Sequence, residues 1–171
     1  MQEYVCLISR LFVFLFIGLQ NGSSTSLRLR RSLDYPENPI NLRYVGVPNS
    51  DAKKIVLSRT CIDCNCSQDI PGFLQLMGFV KDYEYIMKGH IFRKGGMKVL
   101  VYKIFKVFSE INSSTNSHDR LEAFTDSSAV ELTVVLPHPS PNVVDAMKEF
   151  ADTLKPIVNL EIPNMQKFNS F

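Results

Sequence analysis

The chain has 171 residues, 45% of them hydrophobic and 21% charged, which suits one soluble globular domain and is too little for two well-buried ones. Nineteen Lys and Arg against 17 Asp and Glu leave a formal net charge of +2, which argues against nonspecific nucleic-acid binding as the main activity, because phosphate neutralisation needs a clear basic excess. A chain this long buries a core without staples, so its four cysteines need not be disulfides, and 12 Phe and 6 Tyr with no Trp lean the composition toward strands.

Leu11 to Leu19 is an uncharged apolar run, preceded by Arg10 and followed by Gln-Asn-Gly-Ser-Ser. It is too short to cross a bilayer, which takes about 20 apolar residues. Two readings compete at this point: the apolar region of a secretory signal peptide, and a buried strand rich in Phe, Val and Ile with a Gly-containing turn after it. The sequons at Asn21 and Asn112 do not decide between them, since such triplets are common by chance.

Ser26 to Ser32 alternates apolar and basic residues, the two-residue period of a strand with one face in water. Pro36, Asn38 and Pro39 mark a turn, and Asn41–Gly46 and Lys54–Thr60 read as two further short strands. A short helix is expected near 69–77, with Asp69 as its cap, Pro71 in its first turn and Gly78 as a left-handed stop.

The clearest local signal is a hairpin, Val80–Arg93 and Met97–Phe108, joined by Lys94-Gly95-Gly96, whose glycines supply the positive φ that a tight turn demands. Alternation puts Tyr83, Tyr85, Met87 and Ile91 on one face of the first strand, and Glu84, Lys88 and His90 on the other. The second strand is apolar on both faces apart from Lys98, Lys103 and Lys106, the mark of a closed or covered sheet. Residues 113–128 are polar and read as a mobile loop. Ala129–Leu136 returns to strand. Ser140-Pro141 then opens a helix near 141–155 with Val143, Met147, Phe150 and Leu154 as its apolar stripe, and Pro156 ends it.

Few residues suggest chemistry. Cys61, Cys64 and Cys66 could hold part of a zinc site, but no second Cys-x-x-Cys or His-x₃-His pair exists, and the histidines at 90, 118 and 138 are scattered. A redox role would need the motif to open a helix after a strand, whereas here it precedes a loop. Reduced, structural or incidental cysteines are the favoured reading. Arg28, Arg30, Arg31 and Arg43 could form a phosphate-binding patch, although a solvated strand face is the plainer account. Some of Glu84, Lys88, His90 and Lys98 could point into a barrel and meet phosphates. Metal-dependent triphosphate hydrolysis would require paired carboxylates on one strand face, and Glu-x-Glu occurs nowhere; nor do Gly-x-Ser-x-Gly, a P-loop or His-Glu-x-x-His. No residue is therefore assigned as catalytic, cofactor-binding or metal-binding, no cofactor is expected, and the chain reads as a non-enzyme.

The segments Leu27–Leu33, Leu42–Gly46, Phe73–Phe79, Lys88–Gly95, Met97–Phe105, Val130–Val135 and Phe150–Val158 follow one another in an order that resembles the Mediator complex subunit 18 family. The similarity covers roughly residues 12 to 162, and Lys88-Gly-His-x-Phe-Arg-Lys-Gly95 is its most specific motif. The resemblance implies a mainly β (α+β) fold: an antiparallel β-barrel similar to the triphosphate-tunnel fold, with flanking helices and without the carboxylate clusters of the tunnel triphosphatases. It implies a nuclear, structural subunit of the head module of Mediator, a coactivator of RNA polymerase II transcription acting through protein–protein interaction. Its implied partners are the sister barrel, subunit 20, the C-terminal helix of subunit 8, and RNA polymerase II through the head module, with no membrane and no sequence-specific nucleic acid. It also favours the strand reading of Phe12–Gly18 and reduced cysteines. Family members carry further strand and helix material before this point, where only Met1 to Leu11 stands here, so one β-barrel domain over 1–171, truncated at its N-terminus relative to the family and left with an unpaired edge, is one expectation. The alternatives are a triphosphate-tunnel phosphohydrolase and a secreted disulfide-bonded module. The Cys61/Cys64/Cys66 cluster is no motif of that family.

Overall fold

A computed structural model describes residues 2–17, 24–48, 56–108, 120–138 and 140–162. Within them the Phe-rich N-terminal run is the middle of the longest strand, β1 (Gln2–Ile17). It pairs antiparallel with β2 (Ser24–Ser32) on one side and β5 (Val80–Lys94) on the other. β3 (Ile40–Val45) and β4 (Cys61–Cys66) extend the sheet beyond β2. β6 (Met97–Phe108) extends it beyond β5. The far edge of β6 is shared: β8 (Ala129–Val134) lies along Met97–Tyr102 and β7 (Arg120–Ala123) along Phe105–Phe108.

The result is one eight-stranded antiparallel sheet, ordered β4-β3-β2-β1-β5-β6-β7, with β8 also on β6. It curls into a half-barrel. Among the described residues β4 pairs with no strand on its outer side, so the sheet is open along β4.

Strand periodicity dictates two faces. The outer face carries Phe14 and Leu29, 1% and 0% exposed, with Ile40 beside them. They are sealed by Leu74 of the helix α1 (Ile70–Leu76), and Phe12, Leu27, Leu42, Ile70 and Phe79 pack around this core. The inner, concave face buries Val13, Met87 and Leu100. Val99 and Leu100, successive residues of β6, are thus buried on opposite faces, as the two-sided apolar pattern of that strand predicts. The second helix α2 (Pro141–Thr153) follows β8; Met147 and Phe150 are its buried residues, and the Lys94 ammonium sits 4.5 Å over the Phe150 ring.

Both helices and the hairpin stand where the sequence puts them. Gly78 has φ +90° after α1, and Gly95 has φ +57° in the Gly95-Gly96 turn. Neither Asp69 nor Ser140 makes a side-chain cap bond. Two expectations shift. The strand expected at Lys54–Thr60 is irregular over its described part, 56–60, and the pairing strand is the cysteine-bearing Cys61–Cys66 instead. A hydrogen bond from the Gly46 amide to the Thr60 carbonyl, 2.8 Å, leads into it. In the expected loop 113–128, Arg120–Ala123 forms β7, because β6 is longer than β8 and leaves backbone donors and acceptors along Phe105–Phe108 to be met. Residues 113–119 lie outside the described residues.

Candidate interaction surfaces

The register settles which charged residues face the concavity. Of the four arginines singled out in the sequence, Arg28, Arg30 and Arg43 lie on the concave face and Arg31 on the outer one. Arg28 and Arg31 are exposed, as the solvated-strand reading expects, while Arg30 and Arg43 are half-buried on the concave face. Of the hairpin residues, Lys98 is inside, while Glu84, Lys88 and His90 are outside. Glu84 there pairs with Arg10 at 3.2 Å and Lys81 at 3.5 Å, a surface network rather than a tunnel carboxylate.

Arg43 stands between Arg28 on β2 and Asp63 on β4. It meets Asp63 with both arms of its fork, Nε to Oδ1 at 2.6 Å and a terminal nitrogen to Oδ2 at 2.7 Å. That hydrogen bond raises Arg43 and lowers the Asp63 carboxyl below its usual range. Arg30 donates to Ser9 Oγ at 3.3 Å, and burial, then the charge of Arg43, lowers its pKa. Lys98 is lowered by burial and then by Arg30 and Arg43. Tyr85 and Tyr102 are raised, first by burial, and Tyr102 next by the charge of Glu131.

The cysteines do not converge. A strand sends residues three apart to opposite faces, so Cys61 points inward while Cys64 and Cys66 point outward, with their sulfurs 3.8 Å apart. All four cysteines are thiols. Among the described residues no three His, Cys, Asp or Glu side chains come together as metal ligands, and no helix is long and apolar enough to cross a membrane.

What sequence reasoning missed is the outside of α1. Ile70 and Leu74 face the core, while Phe73 and Leu76 on the rest of the helix and Met77 at its C-cap stand in solvent, Leu76 being 89% exposed. Val80, just beyond, is 69% exposed. The spacing 73, 76, 77 was a readable signal, but it is masked in a helix that is apolar all round.

A family model for Med18 protein matches residues 18–170. The chain is also 42% identical over 150 residues to "Mediator of RNA polymerase II transcription subunit 18" of Xenopus laevis, covering 87% of this chain and 69% of that one. The chain belongs to the Med18 protein family. The Drosophila melanogaster protein of the same name is 42% identical over 135 residues, covering 79% of this chain and 60% of that one. In three dimensions the fold is similar to a chain of the Schizosaccharomyces pombe Mediator head module, at TM-score 0.71 and 14% identity, over 93% of this chain and 85% of that one. A Pyrococcus horikoshii protein shares it at TM-score 0.62 and 11% identity, over 98% and 86%. Those two likenesses speak for the half-barrel alone; membership of the Med18 family rests on the sequence matches.

Proposed function

We propose that this Med18-family chain is a non-enzymatic, nuclear subunit of the Mediator head module and serves RNA polymerase II transcription by holding protein partners together. The observation that carries this reading is the exposed apolar cluster at α1: Phe73, Leu76 and Met77, followed by Val80, spend large hydrophobic side chains on solvent although Leu74 among them is buried and Ile70 partly so. Such a cluster gains free energy on being covered, about 25 cal/mol per Å² of apolar surface removed from water. The free edge of β4 offers a second docking element, a row of backbone donors and acceptors. Its curled sheet and two helices provide the frame.

The finer assignment of partners is the sister barrel, Mediator subunit 20, and the C-terminal helix of Mediator subunit 8, with polymerase reached through the assembled head. No chemistry is assigned to this role. Asp63 is occupied by Arg43, and Glu84 lies on the outer face between Arg10 and Lys81. Co-expression of the full chain with subunits 20 and 8 from the same organism tests the assignment. A ternary complex that stays together in size exclusion supports it; separate elution contradicts it.

A further inference from the structure

Cys64 and Cys66 have no task in partner docking, yet their placement asks for one. Cysteine is among the residue types most often fully buried, and its chemistry, more than its packing, decides what it is there for. Here Cys64 is exposed and Cys66 half-buried, two residues apart on the outward face of β4, with their sulfurs 3.8 Å apart. The strand that carries them is held in place. It pairs with β3 over six residues, and Arg43 grips Asp63 from the inner face. Just beyond Cys66, the Gln68 side-chain amide donates to the Pro36 and Asn38 carbonyls. We propose that Cys64 and Cys66 form a two-thiolate binding site for a soft monovalent metal ion, copper(I).

Distances and ligand number decide between the fates open to such a pair. A disulfide needs its Cα atoms about 4.4–6.8 Å apart and its sulfurs about 2.05 Å apart. Residues i and i+2 of a strand stand roughly 6.4–6.8 Å apart, at the far end of that range, so closing the ring would distort β4. Two sulfurs bound to one ion at about 2.3 Å are about 3.8 Å apart at a tetrahedral angle and about 4.6 Å apart in a line. The free pair therefore accepts an ion by opening less than about 1 Å, with no change in the strand. Zinc is ruled against by its ligand count, since a closed zinc site takes four donors. Cys61 points inward, and among the described residues no third His, Cys, Asp or Glu joins the pair. Copper(I) is satisfied by two thiolates in a line, and soft sulfur ligands select it. Ile40 and Leu42, opposite the two cysteines on β3, add an apolar floor without competing donors. Binding replaces the S–H···S contact by two copper–sulfur bonds; both thiols lose their protons to solvent, and the metal stays in its +1 state. Burial, and next the hydrogen bond to Cys64, raises the Cys66 thiol, so uptake of the ion weakens as pH falls.

The full chain by itself tests this, whatever assembly it joins. Copper(I), kept reduced by ascorbate under anaerobic conditions, is offered as its bicinchoninate complex to wild type, Cys64→Ser, Cys66→Ser and the controls Cys61→Ser and Cys6→Ser. Each variant is checked by its thermal melt. The expected result is a 1:1 complex in wild type and both controls, with affinity at least roughly tenfold weaker in Cys64→Ser and Cys66→Ser, since even a change outside the ligand shell costs about that much. Cys64 is exposed, so Cys64→Ser keeps the fold and decides the case even where Cys66→Ser is unstable. No copper(I) withdrawn from the chelator, an equal loss in Cys61→Ser or Cys6→Ser, or one ion per two chains would each overturn the proposal. Equal affinity for zinc in a parallel titration would overturn it too. So would ready conversion of the pair to a disulfide by glutathione disulfide with no copper retained, in favour of a redox switch.

Discussion

Arg43 and Asp63 face each other across β3 and β4 and join by two parallel hydrogen bonds of 2.6 and 2.7 Å, the only strong tie between the side chains of the edge strand and the rest of the concave face among the described residues. Both are more than a third exposed, so the pair is screened and is worth about 1 kcal/mol or less. Because its carboxyl is held below the usual range, Asp63 contributes stability that is present above the ordinary carboxylate pKa and lost as pH falls through the lowered one. Asp63→Asn should therefore melt lower than wild type at pH 7, with the gap closing below about pH 4. Thermal melts across that range check it; a gap that persists or widens in acid contradicts it.

Leu29 is fully buried at the centre of the outer-face core, against Phe14, Ile40 and Leu74. Leu29→Ala removes the apolar contact and leaves a cavity, at a cost of about 2–5 kcal/mol. Urea denaturation followed by far-UV circular dichroism measures this directly. A loss below about 1 kcal/mol would mean the outer face is not the packed core.

Gly89 sits opposite Tyr102 in the hairpin, and a Cβ there would lie 2.1 Å from the Val101 carbonyl oxygen and 2.5 Å from Tyr102 Cα. Both are backbone atoms that cannot step aside, so Gly89→Ala should separate the central strands and cost several-fold more stability than Gly96→Ala, whose Cβ would meet nothing within 4 Å. Comparing the two denaturation midpoints tests the close approach of β5 and β6.

Leu76 is 89% exposed and contributes little to the isolated fold. Leu76→Asp should change the unfolding free energy by no more than about 0.5 kcal/mol, while weakening assembly with the proposed partners. A variant that unfolds outright would place this side chain in the core instead.

The legible parts of this fold were those with a local cause. The hairpin was readable because its glycines allow only a tight turn and its two strands alternate cleanly, and α2 because its stripe recurs at helical spacing after a Ser-Pro start. The register, and with it the meaning of the arginines, was not. Ser26–Ser32 announces one polar face, but whether water or a curled sheet meets that face depends on strands more than 70 residues away in sequence. The cysteine strand was missed for a related reason: Cys61–Cys66 has little apolar pattern, being an edge strand exposed along most of its length, and its neighbour Lys54–Thr60 looks more strand-like in isolation. The exposure of α1 was hidden because Phe73, Leu74 and Leu76 are all apolar, and nothing in so short a helix tells the buried one from the exposed ones.

Affinity purification of the tagged full chain from nuclear extract, beside its Leu76→Asp/Met77→Asp variant, tests the central claim most directly. The account predicts that Mediator head subunits, 20 and 8 among them, come down with the wild-type chain and are lost or strongly depleted with the variant, although both proteins remain folded. A folded wild-type chain that brings down no Mediator subunit would contradict it.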